Sequence, residues 1–309
     1  MMDSTIDVSV VVPTRDRPQA LVKCIESVGR QTRPPSEVTV VDDGGTSEVG
    51  DTDLSGALDT DTAFERVASN GVPSSSTARN TGIEASTGDV VLFLDDDVVL
   101  GETYLEELVI SYERNDSEQL AGIGGFDNVP NGPSTLECLF NRLFYLGTDT
   151  WRINEAGMQY PIGKRKPDLT DVTRSDWLPT NNASFKRSVL KSYRFPHWDA
   201  GREPLEDVAF GWQLKRAGYH CVLDPSLPVD HSEASDSDTL YEFGVKHGRN
   251  RVRMFRRYGR TAYSLHFLWA LFGHLLRVFL APVIDGDVGR YWSMCGGMAY
   301  GSVRELLGL

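Results

Sequence analysis

The first third of the chain alternates short, wholly apolar runs with segments whose apolar residues recur at helical spacing. Residues 8–12 are all valine except Ser9, "PTRDRPQ" interrupts them, and residues 20–28 follow with the spacing of a helix. Two more apolar runs, "SEVTVVDDG" and "GDVVLFLDDD", flank the capped helix start "SSSTARNTGIEAS". Strands that are apolar throughout and alternate with amphipathic helices predict a doubly wound, mostly parallel α/β sheet.

The regular alternation is lost beyond residue 120. Residues 121–186 gather Gly and Pro, and "WRINEAGMQYPIGKRKPDLTDVTRSDW" is interpreted as a long surface excursion. Apolar spacing resumes in "GREPLEDVAFGWQLKRAGY", which predicts a helix from about Leu205 to Ala217. We predict one domain over 1–235, divided near residue 120, and a helical tail over 236–309.

Three strand ends of the first half carry charge: "PTRDR", "VVDDG" and "LDDD". Because the carboxyl ends of parallel strands share one edge of a sheet, these clusters should converge. Adjacent carboxylates repel one another, so a positive partner is expected beside them. Asp95 and Asp97, two apart in an extended backbone, should point the same way. This suits a divalent metal held with a substrate diphosphate, whereas an isolated acidic triplet is also consistent with a solvated loop.

The composition is acidic, with 31 Lys+Arg against 44 Asp+Glu and a net charge of −13. Few lysines and many acids indicate a surface adapted to high salt, or an ordinary acidic cytosolic protein. The basic surface expected of a nucleic-acid-binding protein is missing over most of the chain, which argues against nucleic acid as a partner. Four scattered cysteines without a C-x-x-C pair indicate buried thiols in a reducing compartment, and "MMDSTIDVSVVV" lacks the basic start of a signal peptide.

The ordered set "VSVVVPTRDRP", "VVDDGG", "ARNTGI", "LFLDDD", "NNASFKRSVL" and "LEDVAFGWQLKRAGY" resembles the family 2 glycosyltransferases, which have the GT-A fold. The motifs extend from residue 8 to about 231, so the resemblance implies that residues 1–235 are a catalytic domain with a nucleotide-binding half (1–120) and an acceptor half (121–235). The resemblance implies an inverting enzyme that takes a sugar from a nucleotide-sugar donor. Together with the acidic composition, it points to a haloarchaeal-type enzyme of lipid-linked glycan assembly.

The resemblance also implies roles for individual residues. Donor binding falls on Thr14, Asp42, Asp43, Arg79, Asp95 and Asp96, and a divalent metal (Mg²⁺ or Mn²⁺) on Asp97 and His231. A histidine is as often structural as a ligand, and an arginine in a first helical turn is often a surface residue. These alternatives stay open for His231 and Arg79.

The acceptor hydroxyl must lose a proton during transfer, and a carboxylate near the sugar can take it. The resemblance places this role on Asp207 of "PLEDVAF", with Glu206 beside it contacting donor or acceptor. Without the family, a Glu-Asp pair at a helix start is most often a cap that offsets the helix dipole.

Two further features of the sequence argue against particular activities. Processive members of the family carry Q-x-x-R-W, whereas this chain keeps Gln213 and Arg216 but has Ala217 in the last position. With no predicted transmembrane bundle to thread a polymer, single-sugar transfer is favoured. Asp127 ends "GIGGFD", and no G-x-x-x-x-G-K-[ST] occurs, which argues against dinucleotide and P-loop phosphate binding.

The tail joins a basic stretch, "KHGRNRVRMFRRYGR", to residues 262–284, which have the length of a spanning helix. Polar residues and a proline interrupt that helix and argue against an isolated span. Basic, aromatic and leucine residues together predict attachment to the cytoplasmic surface of the membrane, where a dolichol- or polyprenol-linked acceptor would lie. Phe267, Trp269, Phe272 and Phe279 are the predicted inserting residues. The alternative is a helical pair packed on the catalytic domain.

Two other functions remain as alternatives. A metal-dependent nucleotidyltransferase would use a similar sheet, although the Gly-rich, Lys-bearing loop it requires after the first strand is absent from the sequence. A non-catalytic nucleotide-sugar or glycan-binding protein would be a degenerate relative. The presence of Asp97, Asp207 and His231 together argues against degeneracy.

Overall fold

The computed structural model of the chain describes residues 6–44, 49–126, 134–148, 151–161, 172–198, 200–231, 239–285 and 288–309. The three strands and two helices predicted in the first third of the chain are present, and further strands and helices lie between and after them. The elements are β1 (Val8–Thr14), α1 (Pro18–Gly29), β2 (Glu37–Asp42), α2 (Asp51–Gly56), β3 (Ala63–Val67), α3 (Ser75–Ala85), β4 (Val90–Leu94), β5 (Val98–Leu100) and α4 (Tyr104–Arg114). Pro18 begins α1, where its missing N–H costs no helical hydrogen bond.

The rest of the chain adds the second half of the sheet and the tail. Its elements are β6 (Leu120–Phe126), α5 (Thr135–Leu143), β7 (Gly147–Thr148), β8 (Tyr160–Pro161), β9 (Thr173–Ser175), β10 (Asn182–Lys186), α6 (Arg187–Leu190), α7 (Glu206–Arg216), β11 (His220–His231), α8 (Leu240–Tyr258), α9 (Ser264–Asp285) and α10 (Val288–Leu307). The predicted helix near residues 205–217 is α7. A short 3₁₀ turn, Thr261–Tyr263, leads into α9.

The main sheet has the order β3-β2-β1-β4-β10-β6-β11-β5, and β9 pairs with β11. Strands β3, β2, β1 and β4 run parallel, as do β6 and β11. Strand β10 lies antiparallel between β4 and β6, and β5 and β9 run antiparallel to β11. The predicted α/β sheet is therefore confirmed, with β10 joining its two parallel parts.

Helices cover both faces of the sheet, and β1 shows why the strands are mostly apolar. Val10 and Val12 pack with α1 and α4 on one face, whereas Val11 packs with α3 and α7 residues on the other. Successive strand residues point to opposite faces, so a strand covered on both sides has no solvent-facing position. Ser9, a polar residue within β1, is buried and donates a hydrogen bond to Glu37 Oε1.

The interpretation of residues 151–177 as a surface excursion is wrong for its first part. Ile153, Ala156 and Met158 are buried in a third hydrophobic cluster beneath α7. Their spacing follows an irregular backbone, so no helical or strand period indicated their burial. Residues 162–171 of the excursion lie outside the described residues.

The tail packs on the catalytic domain through the same third cluster. Val252 and Phe255 of α8 and Ala270 of α9 join Val208 and Trp212 of α7 in it. The helical packing that the sequence left as an alternative is therefore present. An apolar outer surface remains on these helices, so packing and membrane attachment are compatible.

Two of the tail residues assigned to the membrane are buried instead. Phe267 is stacked on Phe255 with 4.2 Å between ring centroids, and it is only 3% exposed. Arg251, counted in the basic membrane-facing surface, is fully buried. Helical position decides both cases, because each side chain lies on the face that contacts the catalytic domain.

Helices α8 and α10 run parallel and approach closely through glycines. A Cβ on Gly248 would lie 2.2 Å from the carbonyl oxygen of Met298, and a Cβ on Gly301 would lie 2.2 Å from that of Val245. Gly244 and Gly297 make the same kind of contact one turn earlier. Small residues at four-residue intervals let the two backbones touch.

Gly248→Ala is expected to lower stability by about 1–3 kcal/mol, because the added methyl meets backbone that cannot move without separating the helices. Gly296→Ala is the matched control. No atom lies within 4 Å of its added Cβ, and alanine is the better helix former by about 1 kcal/mol. Urea unfolding followed by circular dichroism measures both. Equal midpoints for the two variants would contradict the close packing.

Candidate active site

The carboxyl ends of β1, β2 and β4 meet at one edge of the sheet, as predicted. The backbone N–H of Asp43, just after β2, donates a hydrogen bond to the carbonyl oxygen of Thr14 at the end of β1 (3.1 Å). Strand β4 lies on the other side of β1. The three charged loops are therefore neighbours at the edge where ligands bind in parallel sheets.

The three acids after β4 occupy a reverse turn, in which the N–H of Val98 donates to the carbonyl oxygen of Asp95 (3.2 Å). The predicted extended backbone is wrong at this point, because β4 ends at Leu94. The turn nevertheless keeps Asp95 and Asp97 at the site and sends the Asp96 side chain inward, where it is buried.

Asp95, Asp97 and His231 form a cluster suited to a metal. One ligand atom from each lies within 4.8 Å of the others, and His231 Nε2 is 3.2 Å from Asp97 Oδ1. Strand pairing explains the histidine's position, because His231 at the end of β11 is opposite Val98, the residue after the acids. The structure thus brings together Asp95 and Asp97, the acidic pair that the sequence suggested for a metal, and His231, the ligand that the resemblance implied.

Arg17 is a site residue that the sequence assignment missed. Its Nη1 lies 3.2 Å from Asp96 Oδ1 and 3.3 Å from Asp97 Oδ2, while Thr14 Oγ1 donates to Asp96 Oδ2 (2.7 Å). Burial raises the pKa of Asp96 to about 6, and the Thr14 hydrogen bond and the Arg17 charge oppose that rise. Arg17 and Lys23 also line a cavity of about 400 Å³ beside Asp97. The signal was the arginine-rich segment "PTRDR", in which only Thr14 was assigned a role.

Arg79 contacts both the acidic turn after β4 and the carboxylate pair of α7. Its Nη2 lies 3.1 Å from Asp95 Oδ1, and its Nη1 lies 3.0 Å from Glu206 Oε1. The guanidinium is 4% exposed and packs over the Phe195 ring. The surface-arginine alternative is therefore wrong.

The start of α7 aims Glu206 and Asp207 at the site. Leu205, the residue before the helix, has a left-handed backbone with φ of 71°, which is costly for a branched side chain and occurs where surrounding packing enforces it. Leu205 is buried in the third hydrophobic cluster, which supplies that packing. Asp207 Oδ1 accepts the N–H of Val208 (2.7 Å).

Burial raises the pKa of both carboxyl groups at the start of α7. For Glu206 the neighbouring Asp207 adds to the rise, and the charge of Arg79 opposes it. For Asp207 the Val208 hydrogen bond and the charges of Arg79 and Arg251 oppose the rise. Both groups therefore titrate closer to neutral pH than ordinary carboxyl groups do, as a general base requires.

Arg251 is a second residue near the site that sequence analysis did not assign there. Its Nη1 donates to the carbonyl oxygen of Gly157 and to Gln159 Oε1, both at 2.8 Å. The adjacent Asn250 donates to the carbonyl oxygen of Pro204 (3.1 Å), in the loop that leads to α7. Helix α8 thus places a buried positive charge behind Asp207, and no sequence motif signalled it.

Asp42 ends β2 and Asp43 follows it, at the same edge of the sheet. Asp43 accepts the N–H and Oγ–H of Ser69 at 3.0 and 2.6 Å. Asp42 accepts the N–H of Gly44 (3.0 Å) and lies 3.9 Å from Arg66. Their roles, and that of Thr14, in holding a nucleoside stay predictions.

Comparison with known proteins gives the class. The fold is similar to that of a solved mannosyltransferase from Pyrobaculum calidifontis, described in complex with GDP-Man and Mn²⁺, with a TM-score of 0.53 at 17% identity over 99% of this chain and 90% of that one. This likeness shows the GT-A fold for the sheet.

Two curated relatives illustrate the sequence similarity. The glycosyltransferase GlyG of Streptococcus pneumoniae is 24% identical, over 81% of this chain and 78% of its own length. The glucosyl-dolichyl phosphate glucuronosyltransferase of Haloferax volcanii is 35% identical over 59% of this chain. The match covers about half (53%) of that relative's length. Residues 9–161 match the model of glycosyl transferase family 2. The chain belongs to this family, as its motifs predicted.

Proposed function

We propose that the protein transfers one sugar, with inversion and with a divalent metal, from a nucleotide-sugar to a lipid-linked or other membrane-proximal glycan. The observation that supports this most directly is the continuity of the site. Arg79 binds both Asp95 of the metal cluster and Glu206, the neighbour of Asp207. Donor binding and proton acceptance therefore belong to one cleft.

The metal-ligand set Asp95, Asp97 and His231 fits Mg²⁺ or Mn²⁺. Both ions bind carboxylate oxygens, and Mn²⁺ also binds imidazole nitrogen. When bound, the metal supplies positive charge to the donor's diphosphate as this becomes the leaving group. Arg17 and Lys23 line the adjoining cavity and add positive charge there. Asp97 is thus tied to donor binding rather than to proton transfer.

Asp207 takes the proton in this proposal. The acceptor hydroxyl oxygen forms a bond to the anomeric carbon, the bond from that carbon to the diphosphate oxygen breaks, and the hydroxyl proton moves to the Asp207 carboxylate. The raised pKa of Asp207, about 6, brings it closer to the operating pH of a general base than an ordinary aspartate. Arg79 fixes Glu206, the neighbour of Asp207, through their ion pair.

The acceptor class is supported by similarity and by the tail. One relative is named for acting on a glucosyl-dolichyl phosphate, and it comes from the haloarchaeon H. volcanii. Residues 261–280 also form a helix with mean hydropathy 1.3 that is only partly covered by the protein. These observations support a dolichol- or polyprenol-type acceptor at the cytoplasmic face of the membrane, in protein glycosylation or surface glycan assembly, and a surface adapted to high salt.

A donor screen is expected to give binding of one class of nucleotide-sugar, and only with metal present. Isothermal titration with UDP-, GDP- and dTDP-sugars in Mn²⁺, Mg²⁺ or chelator measures this. A protein that binds nucleoside triphosphates in place of nucleotide-sugars would favour the nucleotidyltransferase alternative. Donor binding without any hydrolysis or transfer would favour the non-catalytic one, and binding of none would defeat the proposal.

A further inference from the structure

Helix α5 lies within the catalytic domain yet presents leucines to solvent. Leu136, Leu139 and Leu143 are 72%, 63% and 63% exposed. Their spacing of three and four residues places them on one face of the helix. The opposite face is buried through Cys138 and Asn141. Sequence analysis left α5 unrecognised within the irregular stretch after residue 120.

Helix α9 presents a second apolar face. Its outward side chains recur at helical spacing and are each at least about half exposed: Leu265, Leu268, Trp269, Phe272 and Phe279. Single exposed apolar residues are ordinary on a protein surface, but a contiguous apolar patch marks an interaction site.

The two faces are joined into one surface, here called the α5–α9 surface and defined by the eight residues just named. Trp269 Nε1 donates to the carbonyl oxygen of Leu143 (2.9 Å). The Trp269 ring stacks on Phe144, with centroids 5.0 Å apart. At the other end of α5, Arg277 donates to Asn141 Oδ1 (2.7 Å) and Glu137 Oε1 (3.1 Å). The helices are therefore fixed side by side.

The charge beside this surface differs in sign from the rest of the chain. Residues 243–284 contain eight Lys or Arg and no Asp or Glu, whereas the whole chain has a net charge of −13. Exposed Arg256, Arg257 and Arg260 lead into α9, and exposed Arg142 lies between two of the α5 leucines. A basic rim around an apolar face is complementary to an anionic lipid surface.

The packing of α9 distinguishes lying on a bilayer from crossing it. The helix is long and apolar enough to span, but its inner face is covered. His274 is 1% exposed and stacks on His247 of α8, and a Cβ on Gly273 would lie 2.2 Å from Phe144 Cβ. A span would carry α5 and α8 into hydrocarbon with it. Lipid can therefore reach only the outer face.

We propose that the α5–α9 surface seats the enzyme on an anionic phospholipid bilayer as a monotopic protein, with α9 lying in the interface. This rests on the proposed function only in that a lipid-linked acceptor gives the seating its purpose. Helix α5 belongs to the catalytic domain, so the membrane contact is shared between that domain and the tail.

Vesicle flotation of the full chain tests the proposal. The wild type should float with phosphatidylcholine–phosphatidylglycerol vesicles. Leu139→Glu and Phe272→Glu, one on each helix, should each lower the vesicle partition coefficient at least tenfold, because a charge replaces inserted apolar surface. Val172→Glu, at an exposed apolar position before β9, is the control and should float as the wild type does. High salt should reduce the preference for anionic lipid without abolishing binding.

Three outcomes would overturn the proposal: a wild type that stays unbound, glutamate variants that float normally, or a lipid-free dimer that the same glutamates dissociate. Metal-dependent donor binding, measured on the same lipid-free samples, separates this test from the proposed function. A protein that binds donor but not vesicles defeats the seating alone.

Discussion

Asp207→Asn is expected to lower sugar transfer by about 10²–10⁴-fold while leaving metal-dependent donor binding intact. The amide keeps the shape of the side chain and an oxygen that can accept the Val208 N–H, but it cannot take the acceptor proton. Initial rates of transfer and donor titration, run on the same preparation, measure the two effects. If the transfer rate falls by less than about tenfold, Glu206 and not Asp207 would be assigned as the general base.

The pH dependence of kcat/KM tests the role of Asp207 independently. Because the pKa of Asp207 is raised to about 6, kcat/KM of the wild type should fall as the pH drops through about 6, where the carboxylate becomes protonated. The residual activity of Asp207→Asn should lack this acid limb. An unchanged limb in the variant would assign the titration to another group.

Asp97→Ala is expected to reduce donor affinity in saturating Mn²⁺ to its value in chelator, a loss of roughly 100-fold or more. The variant removes one member of the Asp95–Asp97–His231 cluster. The donor's diphosphate would then face the remaining acids with less compensating charge. Donor affinity that does not change, or wild-type binding that is equally tight in chelator, would contradict the metal role.

Asp230→Ala is the matched control for this change. Asp230 is exposed and precedes His231 on β11, so its replacement alters the net charge by the same amount next to the same histidine. Donor affinity within about twofold of the wild type, as expected for an exposed position, would tie the Asp97 effect to its place in the cluster and not to charge alone.

The parts of the site that the sequence predicted are those carried on regular strands. Thr14, Asp43 and Asp95 end or follow parallel strands, and a parallel sheet brings such ends to one edge whatever the loops do. His231 is similarly fixed, because β11 pairs with β5 beside the acid turn. Strand order and register are enough to place these residues.

The residues that sequence analysis missed depend on side-chain direction and long-range packing. Arg17 and Arg15 flank the same loop, and only the backbone fold decides that Arg17 contacts Asp96 and Asp97. Arg251 lies in a basic run whose exposed members resemble it in sequence, so its burial against Gly157 followed no pattern. The left-handed backbone at Leu205 is likewise a product of packing, since leucine does not signal that conformation.

The position of Arg251 limits how this protein can be recombined with its relatives. A chimaera that joins this sheet to a foreign C-terminal segment after β11 would place another side chain against Gly157 and Gln159. It would also remove one of the positive charges that favour the ionised form of Asp207. Proton acceptance would then shift toward higher pH even where the graft folds. The unit that can be exchanged without this shift is α7 together with α8 and the loop that contacts Arg251.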